Sequence, residues 1–375
     1  MTSSHTLSAP TQLLLRSQIF DRFDNSNQPL LVVNAPDAGL LQAAPQPERL
    51  YSWHVHAGFA AQWPAAQGLF SADFGAEPAP LGAVHQPQSW QTAVLYLPKE
   101  KILTHYLLSQ IAEIMANAAA PVNLYIVGEK RGGIKSLPKL LQGQAAWGAP
   151  LKLSDGHHSS LFVTTLNSDY VATPTRLADK ASWFAHHYRL VNAPAQTLQL
   201  CTYPGVFAHA SVDSGSNFLL KHLQLWPRAR KVLDFACGAG VLGACLQQTA
   251  RATERELAVT YLDVNALALA ATKATLAAHE LVPAQILAAD HLPAEIGRFD
   301  AIVSHPPFHT GIATDYAIGQ QFLQQARQHL TASGELWLVA NKFLPWPELI
   351  EQAFGHCEVR ASDNRYAVYF ARQRR

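Results

Sequence analysis

The stretch from Phe299 to Gly311 constrains this chain more than any other. Within it, Asp300 to Ser304 has an apolar centre, which is typical of a strand buried on both faces of a parallel sheet. Pro306 and Pro307 then stop the strand, because proline has no N–H for a sheet ladder and forces the residue before it into an extended conformation. The stretch therefore predicts a rigid corner at the carboxyl end of a strand, where open α/β folds place their ligand sites.

A planar amine fits this corner. The side chain of His305 and the backbone of Pro306 can accept the two hydrogens of an NH2 group, and the ring of Phe308 can stack on the base that carries it. A plain turn is the alternative interpretation of any Pro-Pro-Phe triplet. We predict that the catalytic residues are His305, Pro306, Pro307 and Phe308.

Composition excludes several classes of protein. The chain has 375 residues, 49% of them hydrophobic, and a formal net charge of +1, which indicates a globular protein of two or three domains without a strongly basic tail. The four cysteines and the paired histidines do not have metal-ligand spacing, so no metal is expected. The N-terminus has no signal-peptide pattern, and no apolar run reaches membrane-spanning length, so we expect a cytoplasmic protein without membrane contact.

The second half of the chain repeats the plan of the first. Three segments match in the same order, namely Leu31–Asn34 with Val232–Asp234, Leu95–Pro98 with Val303–Pro306, and Asn123–Lys130 with Glu335–Lys342. Buried strands of α/β proteins resemble one another, which is the alternative explanation. We predict a duplicated domain, with one copy over residues 1–182, the other over 183–375, and a join near Asp179 to Ala195.

Only the second copy has a cofactor turn. A strand beginning at Lys231 leads into Cys237, Gly238 and Gly240, where glycine lets the backbone approach a ligand closely and the following helix adds N–H donors. The equivalent turn of the first copy, Asn34 to Gly39, lacks paired glycines. Because Gly243 completes a Gly-x-Gly-x-x-Gly spacing, the glycines alone also fit a dinucleotide-binding dehydrogenase.

Acidic residues at three successive strand ends help to decide which kind of cofactor the glycine turn binds. Asp234 leads into the glycine turn, Asp263 ends the next predicted strand, and Asp290 ends the third. Any one of them alone fits a helix cap or a loop. Together, the three acids surround one glycine turn. We predict that Asp263 accepts hydrogen bonds from ribose hydroxyls and that Asp290 accepts one from an adenine amine.

The corner at His305 resembles the Asn-Pro-Pro-Phe/Tyr motif of S-adenosylmethionine-dependent amino-methyltransferases, with His305 in the place of Asn. Upstream, Pro204-Gly205-Val206-Phe207 and the block from Asp213 to Leu220 resemble a segment of the ribosomal RNA guanine-N2 methyltransferases. The likeness covers nearly the whole chain and is strongest from Tyr203 to Trp346.

This resemblance implies an α/β fold of two tandem Rossmann-like class I methyltransferase domains, of which the N-terminal one is degenerate. It implies S-adenosyl-L-methionine as cofactor, with Asp234 near the cationic methionine part. The implied cofactor-binding residues are Phe207, Asp234, Cys237, Gly238, Gly240, Asp263, Asp290 and Ser304.

The same resemblance implies that a monomer methylates the exocyclic N2 of a guanine in 16S rRNA of the small ribosomal subunit. The N-terminal copy would support folding and dock RNA through the basic cluster Lys130, Arg131, Lys135 and Lys139, which is otherwise a solvated face. The alternatives are adenine-N6 or glutamine-amide methylation, because the same corner serves all three. A non-catalytic ribosome-assembly or RNA-binding protein is a further alternative, because a neutral imidazole has one acceptor nitrogen and no amide oxygen.

Overall fold

The computed structural model describes residues 7–17, 19, 28–74, 90–118, 121–173, 176–207, 209, 211–306 and 313–373, with the side chains of the last range described from 318 onward. The chain divides into two compact units, Met1–Lys180 and Ala181–Arg375. Two of the predicted catalytic residues, Pro307 and Phe308, lie outside the described residues.

The first unit contains one seven-stranded sheet. Its strands are β1 (Leu30–Val33), β2 (Leu50–His54), β3 (Gly68–Phe70), β4 (Thr92–Tyr96), β5 (Asn123–Glu129), β6 (Leu151–Gly156) and β7 (Ser159–Thr165). Its helices are α1 (Ala9–Arg16), α2 (Gly39–Ala43), α3 (Ala57–Ala60), α4 (Lys101–Met115) and α5 (Leu137–Leu141). The sheet order is β3-β2-β1-β4-β5-β7-β6, in which β7 is antiparallel to both of its neighbours.

The second unit begins with a hairpin and then repeats the first sheet. The hairpin is β8 (Ser182–Tyr188) with β9 (Gln196–Thr202), and the sheet strands are β10 (Lys231–Phe235), β11 (Ala258–Asp263), β12 (Gln285–Ala288), β13 (Phe299–Ser304), β14 (Leu330–Asn341), β15 (Glu358–Ser362) and β16 (Tyr366–Arg372). The helices are α6 (Ser214–His222), α7 (Val241–Ala252), α8 (Ala266–Ala278), α9 (Ala313–Gln328) and α10 (Trp346–Phe354). The order β12-β11-β10-β13-β14-β16-β15 is the order of the first sheet, which confirms the predicted tandem α/β fold.

The predicted elements agree with the structure except at their ends. The strand predicted to begin at Asp300 begins one residue earlier, at Phe299. The sequence also predicts a first helix from Thr11 to Phe23, but α1 ends at Arg16, and positions 18 and 20–23 lie outside the described residues. At the end of α1, the Ser17 hydroxyl donates to the carbonyl oxygen of Leu14 at 2.6 Å, a local bond of the kind by which serine competes with the helix ladder.

Burial on both faces of the second sheet fixes the position of the site. Ile302 in β13 is fully buried, and the ring of Phe235 at the end of β10 stacks on Phe322 of α9 with centroids 4.2 Å apart. Replacing such a residue as Ile302 by Ala would cost about 2–5 kcal/mol of folding free energy. The carboxyl ends of β10 and β13 are therefore held rigidly side by side.

The sheet order reverses between β10 and β13, since β11 and β12 lie on one side of β10 and β13 and β14 lie on the other. In open α/β sheets, the crevice at such a reversal is the place where ligands bind. No described helix is long and apolar enough to cross a membrane. Within the described ranges, no group of three His, Cys, Asp or Glu side chains is arranged to hold a metal ion.

Candidate active site

The turn from β10 into α7 contains two glycines in a backbone conformation that favours glycine. Gly238 and Gly240 have φ angles of +57° and +77°, in the left-handed region. A Cβ atom at Gly240 would lie 3.0 Å from the side chain of Thr272, whereas a Cβ atom at Gly238 would meet nothing within 4 Å. A side chain at Gly240 would thus press against Thr272, whereas Gly238 faces open space in which a ligand can approach the backbone.

Gly243, the third glycine of the spacing, packs α7 onto the sheet. A Cβ atom there would lie 2.4 Å from the ring of Tyr261 in β11. Its backbone N–H donates to Oδ2 of Asp234 at 2.8 Å. Gly243 therefore positions the helix and one carboxylate, and the helix begins directly behind the turn.

Asp234 has one satisfied and one unsatisfied oxygen. The residue is 1% exposed, and its Oδ1 has no hydrogen-bond partner in the part of the chain that the structure describes. Burial raises the pKa of this carboxyl to about 7, against the opposing effect of the Gly243 N–H bond. An unpaired buried carboxylate is costly, so this oxygen is suited to a cationic ligand group.

Asp263 joins the glycine turn to the end of β11. Its Oδ2 accepts from the Gly238 N–H at 2.8 Å, and its Oδ1 accepts from the Asn265 N–H at 2.9 Å. Burial raises the pKa of Asp263, and these backbone hydrogen bonds work against that increase. A carboxylate has about four acceptor positions, so these bonds leave room for ligand hydroxyls.

Cys237 and Ser304 turn their side chains into the protein. The Cys237 sulfur lies 3.6 Å from the hydroxyl of Thr272, and burial raises the pKa of this thiol well above its usual value. Ser304 is fully buried, and its hydroxyl donates to the carbonyl oxygen of Phe235 at 2.9 Å. Both residues hold the neighbouring backbone in place beside the crevice.

Asp290 follows β12, two residues beyond the last residue of that strand. Its side chain is 51% exposed, and its carboxylate accepts from Nδ1 of His291 at 2.5 Å. Asp290 thus lies at the outer end of the row of strand ends that begins with Asp234 and Asp263.

His305 is held by two polar side chains of the α6 N-terminus. Its side chain is 7% exposed, and Nδ1 lies 3.0 Å from the hydroxyl of Ser216 and 3.4 Å from Oδ1 of Asp213. Asp213 is the N-cap of α6, and the same Oδ1 accepts from the Gly215 N–H at 2.7 Å. A neutral imidazole that donates from Nδ1 to this carboxylate carries its acceptor lone pair on Nε2.

Two aromatic rings contact the imidazole. Phe207 and Tyr366 meet His305 edge-on, with ring centroids 5.7 Å and 6.0 Å away. A Cβ atom at Gly215 would lie 2.7 Å from Cε1 of the imidazole, so only glycine fits there. The site therefore contains the predicted residues Phe207, His305 and Pro306 in one corner, next to the turn at Gly238.

Sequence reasoning did not assign roles to Asp213, Ser216 and Tyr366. The first two lie in the block that carried the family resemblance, and the pattern of a helix N-cap was present there. Tyr366 begins β16, far along the chain, and no local pattern marks it. Its position becomes apparent only from the antiparallel pairing of β16 with β14.

A seven-stranded sheet with this order, a glycine turn after the first strand and an acid at the end of the second define a class I S-adenosylmethionine-dependent methyltransferase. Comparisons with known proteins agree. Residues 197–370 match the family described as "Methyltransferase small domain", and residues 11–196 match "Methyltransferase small domain N-terminal".

Proteins called ribosomal RNA small subunit methyltransferase C are similar to almost the entire chain. Those of Pseudomonas entomophila and Idiomarina loihiensis are 39% and 40% identical to it, and each alignment covers 92% of this chain and 94% of the relative. The chain belongs to the ribosomal RNA small subunit methyltransferase C family. A solved structure of a Thermus thermophilus 16S rRNA N2 G1207 methyltransferase has the same fold, with a TM-score of 0.71, 22% identity, and coverage of 96% of this chain and 91% of that one.

Proposed function

We propose that this protein transfers a methyl group from S-adenosyl-L-methionine to the exocyclic N2 of a guanine in 16S rRNA of the small ribosomal subunit. The observation that carries the proposal is the corner at the end of β13, where His305 is fixed next to an open glycine turn. The names of the relatives support the rRNA substrate. The Thermus thermophilus neighbour, described as a complex with AdoMet and guanosine, is consistent with a guanine target.

The residues around the turn fit this cofactor. The unsatisfied Oδ1 of Asp234 suits the cationic methionine part, and the open space at Gly238 leaves room beside it. We assign the remaining acceptor capacity of Asp263 to the two ribose hydroxyls and the exposed carboxylate of Asp290 to the adenine amine. When bound, S-adenosylmethionine supplies an electrophilic methyl group on a positively charged sulfur.

The protein's part in the reaction is to aim a weak nucleophile. The lone pair of a guanine 2-amino group is delocalised into the ring, so acceptors that bind both N–H bonds favour the pyramidal geometry that frees the lone pair. We assign Nε2 of His305 and the carbonyl oxygen of Pro306 as these acceptors, with Asp213 and Ser216 as positioning residues that hold Nδ1. The amine becomes acidic once it is alkylated, so no strong general base is needed.

We further propose that Pro307 and Phe308, which lie outside the described residues, complete the corner, with Phe308 stacking on the extruded base. We assign folding support and RNA docking to residues 1–182, and catalysis to residues 183–375. The protein acts as a monomer in the cytoplasm, where the small subunit is found.

Methyl transfer to small ribosomal subunits that lack the modification tests the proposal. We expect labelled methyl from the cofactor to appear as N2-methylguanine on nucleoside analysis. Methylated adenine would replace the proposed substrate by the adenine-N6 alternative, and label in protein glutamine would replace it by the amide alternative. Transfer by the variant His305→Asn combined with none by the wild type would establish a non-catalytic protein.

A further inference from the structure

The edge of the sheet that carries His305 continues into two neighbouring loops. β14 runs parallel to β13, with Ser304 paired to Leu338, and β14 ends at Asn341. Lys342 and Phe343 follow directly, so both lie at the carboxyl edge of the sheet, where the candidate site is. Asn341 pairs with Tyr366, which places the turn from β15 to β16 at the same edge.

Hydrogen bonds tie these two loops into one structure. The backbone N–H of Lys342 donates to the carbonyl oxygen of Arg365 at 3.0 Å, and its Nζ donates to that of Asp363 at 3.0 Å. The carboxylate of Asp363 accepts from the backbone N–H groups of Arg365 and Tyr366 at 2.7 Å and 2.6 Å. Lys342, Phe343 and Arg365, which we call the rim, are thus presented on an ordered backbone.

Direct ring contacts connect the rim to the candidate site. The guanidinium of Arg365 lies 4.9 Å from the ring centroid of Tyr366, and Tyr366 meets His305 edge-on at 6.0 Å. A single side chain, that of Tyr366, therefore lies between a rim cation and the imidazole that we assign to the target amine.

The chemistry of the rim is that of a single-stranded RNA contact. Phe343 is 73% exposed, more than any other aromatic side chain that the structure describes. Single exposed apolar residues are common on protein surfaces. Phe343, however, directly follows the exposed Lys342, whose backbone is hydrogen-bonded to that of the exposed Arg365, and the carboxylate of Asp363 is occupied by the turn. An exposed ring offers a stacking face to a base, and cations beside it suit the phosphates.

We propose that the rim binds the single-stranded RNA segment next to the target nucleotide, with a flanking base stacked on Phe343 and phosphates held by Lys342 and Arg365. This inference rests on the proposed function and adds the surface that recognises the RNA around the target. It also explains how the flanking nucleotides stay in place when the target base is extruded into the corner at His305. Unstacking costs less free energy when an aromatic side chain replaces the lost base contact.

RNA binding without turnover tests the rim separately from methyl transfer. The probe is a fluorescent single-stranded RNA oligonucleotide containing guanosine, titrated with the full-length protein at several salt concentrations. We expect Phe343→Ala to weaken binding about 5- to 150-fold, with Phe343→Trp restoring it. Lys342→Ala and Arg365→Gln should each lower the slope of log affinity against log salt by about 0.7.

The matched control is Lys231→Ala, which removes the same charge from the exposed start of β10, at the opposite edge of the sheet. We expect it to keep the wild-type slope. Unchanged RNA affinity in Phe343→Ala, or the same slope loss in Lys231→Ala, would overturn the proposal. So would a loss of RNA binding that follows a loss of thermal stability or cofactor binding. Absence of methyl transfer by the wild type would instead overturn the proposed function and leave these binding results in force.

Discussion

In the first unit, the turn between β1 and α2 is covered by the chain's own residues, whereas in the second unit the turn between β10 and α7 is open at Gly238. A Cβ atom at Gly39 would lie 2.4 Å from Leu7 and 2.8 Å from Thr11, so the start of α1 covers the first turn. In the second unit, the nearest atoms to a Cβ atom at Gly240, the equivalent of Gly39, belong to Thr272 of α8. The start of α6 lies instead against His305, and a Cβ atom at Gly238 would meet nothing within 4 Å.

The side chains at equivalent positions also differ. Asp37 lies two residues before Gly39, as Gly238 lies two residues before Gly240, so Asp37 takes the place of Gly238. Its carboxylate is satisfied by the backbone N–H groups of Ser8 and Gly39 and by the hydroxyl of Thr11. This network fills the first turn with protein groups.

Two acids of the second unit, Asp234 and Asp263, have apolar counterparts in the first unit. Val33 pairs with Trp53 as Asp234 pairs with Tyr261, so Val33 corresponds to Asp234 and Val55 to Asp263. A duplicated fold can therefore lose a ligand site through a few side chains while its strand order stays the same.

Exchanging one residue between the turns should have the largest effect. Gly238→Asp introduces the residue of the first unit into the open turn. It places a carboxylate beside Asp234 and Asp263 and a side chain where φ is +57°. We expect cofactor binding to disappear in equilibrium dialysis with labelled S-adenosylmethionine. The reciprocal change Asp37→Gly should leave binding at the wild-type level, and equal losses in both variants would contradict the comparison.

Removing the acid at the end of β11 should weaken cofactor binding, but less severely than Gly238→Asp. Asp263→Ala should cost about 1.5–3 kcal/mol of binding free energy, the range for a hydrogen bond to a charged group. Fluorescence titration with the cofactor measures it. Val55→Thr, at the equivalent position of the first unit, serves as the control, and a similar loss there would place a ligand site in both units.

The carboxyl of Asp234, whose Oδ1 has no described hydrogen-bond partner, should make cofactor affinity depend on pH. Its pKa is about 7, so below that pH the carboxyl is mostly protonated. It must then lose its proton before it can pair with a cationic ligand. Affinity should therefore fall about tenfold for each pH unit below 7 and level off above it. Affinity that does not change between pH 5.5 and 8 would show that Asp234 does not face a cation.

The same group affects the stability of the free protein with the opposite sign. The unfolded chain loses this proton near 3.8, and the folded protein loses it only near 7, so the folded state binds more protons between these values. Its contribution to stability is full at low pH and is lost as pH rises through this window. Asp234→Asn should remove that part of the pH dependence in thermal unfolding, while keeping an acceptor for the Gly243 N–H.

A smaller effect is expected from changing Asp213, which orients His305. The counterpart of His305 in the first unit is Leu97. Asp213→Asn keeps a good helix N-cap and removes the charge. We expect methyl transfer to fall about 2- to 12-fold, corresponding to about 0.5–1.5 kcal/mol for one hydrogen bond. Nitrogen-15 NMR of the imidazole should show a proton on Nδ1 in the wild type and a mixture in the variant. A wild-type proton on Nε2 would contradict the assigned role.

The smallest effect concerns RNA docking by the first unit. Arg131, Lys135 and Lys139 are exposed, whereas Lys130 is half-buried and lies 3.5 Å from a carboxylate oxygen of Asp155. Neutralising Arg131 and Lys135 should lower the salt slope of RNA binding by about one unit per lost phosphate contact, with cofactor affinity unchanged. An unchanged slope would remove the first unit from the RNA-binding surface.

How far the sequence predicted the structure differs between backbone and side chains. Buried apolar runs ending in Gly, Asp or Pro located β10, β11 and β13 within a residue, because those patterns are local. The partners of His305 come from α6 and β16, which lie about 90 and 60 residues away in the chain, so only the folded sheet brings them together. The covering of the first turn by Leu7 and Thr11 was likewise invisible, since nothing in α1 marks it as a substitute for a ligand.

The number of cofactor molecules bound per chain tests the central claim most directly. Isothermal titration of the full-length protein with S-adenosylmethionine should give one equivalent, retained in Asp37→Gly and lost in Gly238→Asp. Two equivalents in the wild type, or one equivalent that persists in Gly238→Asp, would contradict the conclusion that only the second copy of the fold kept its ligand site.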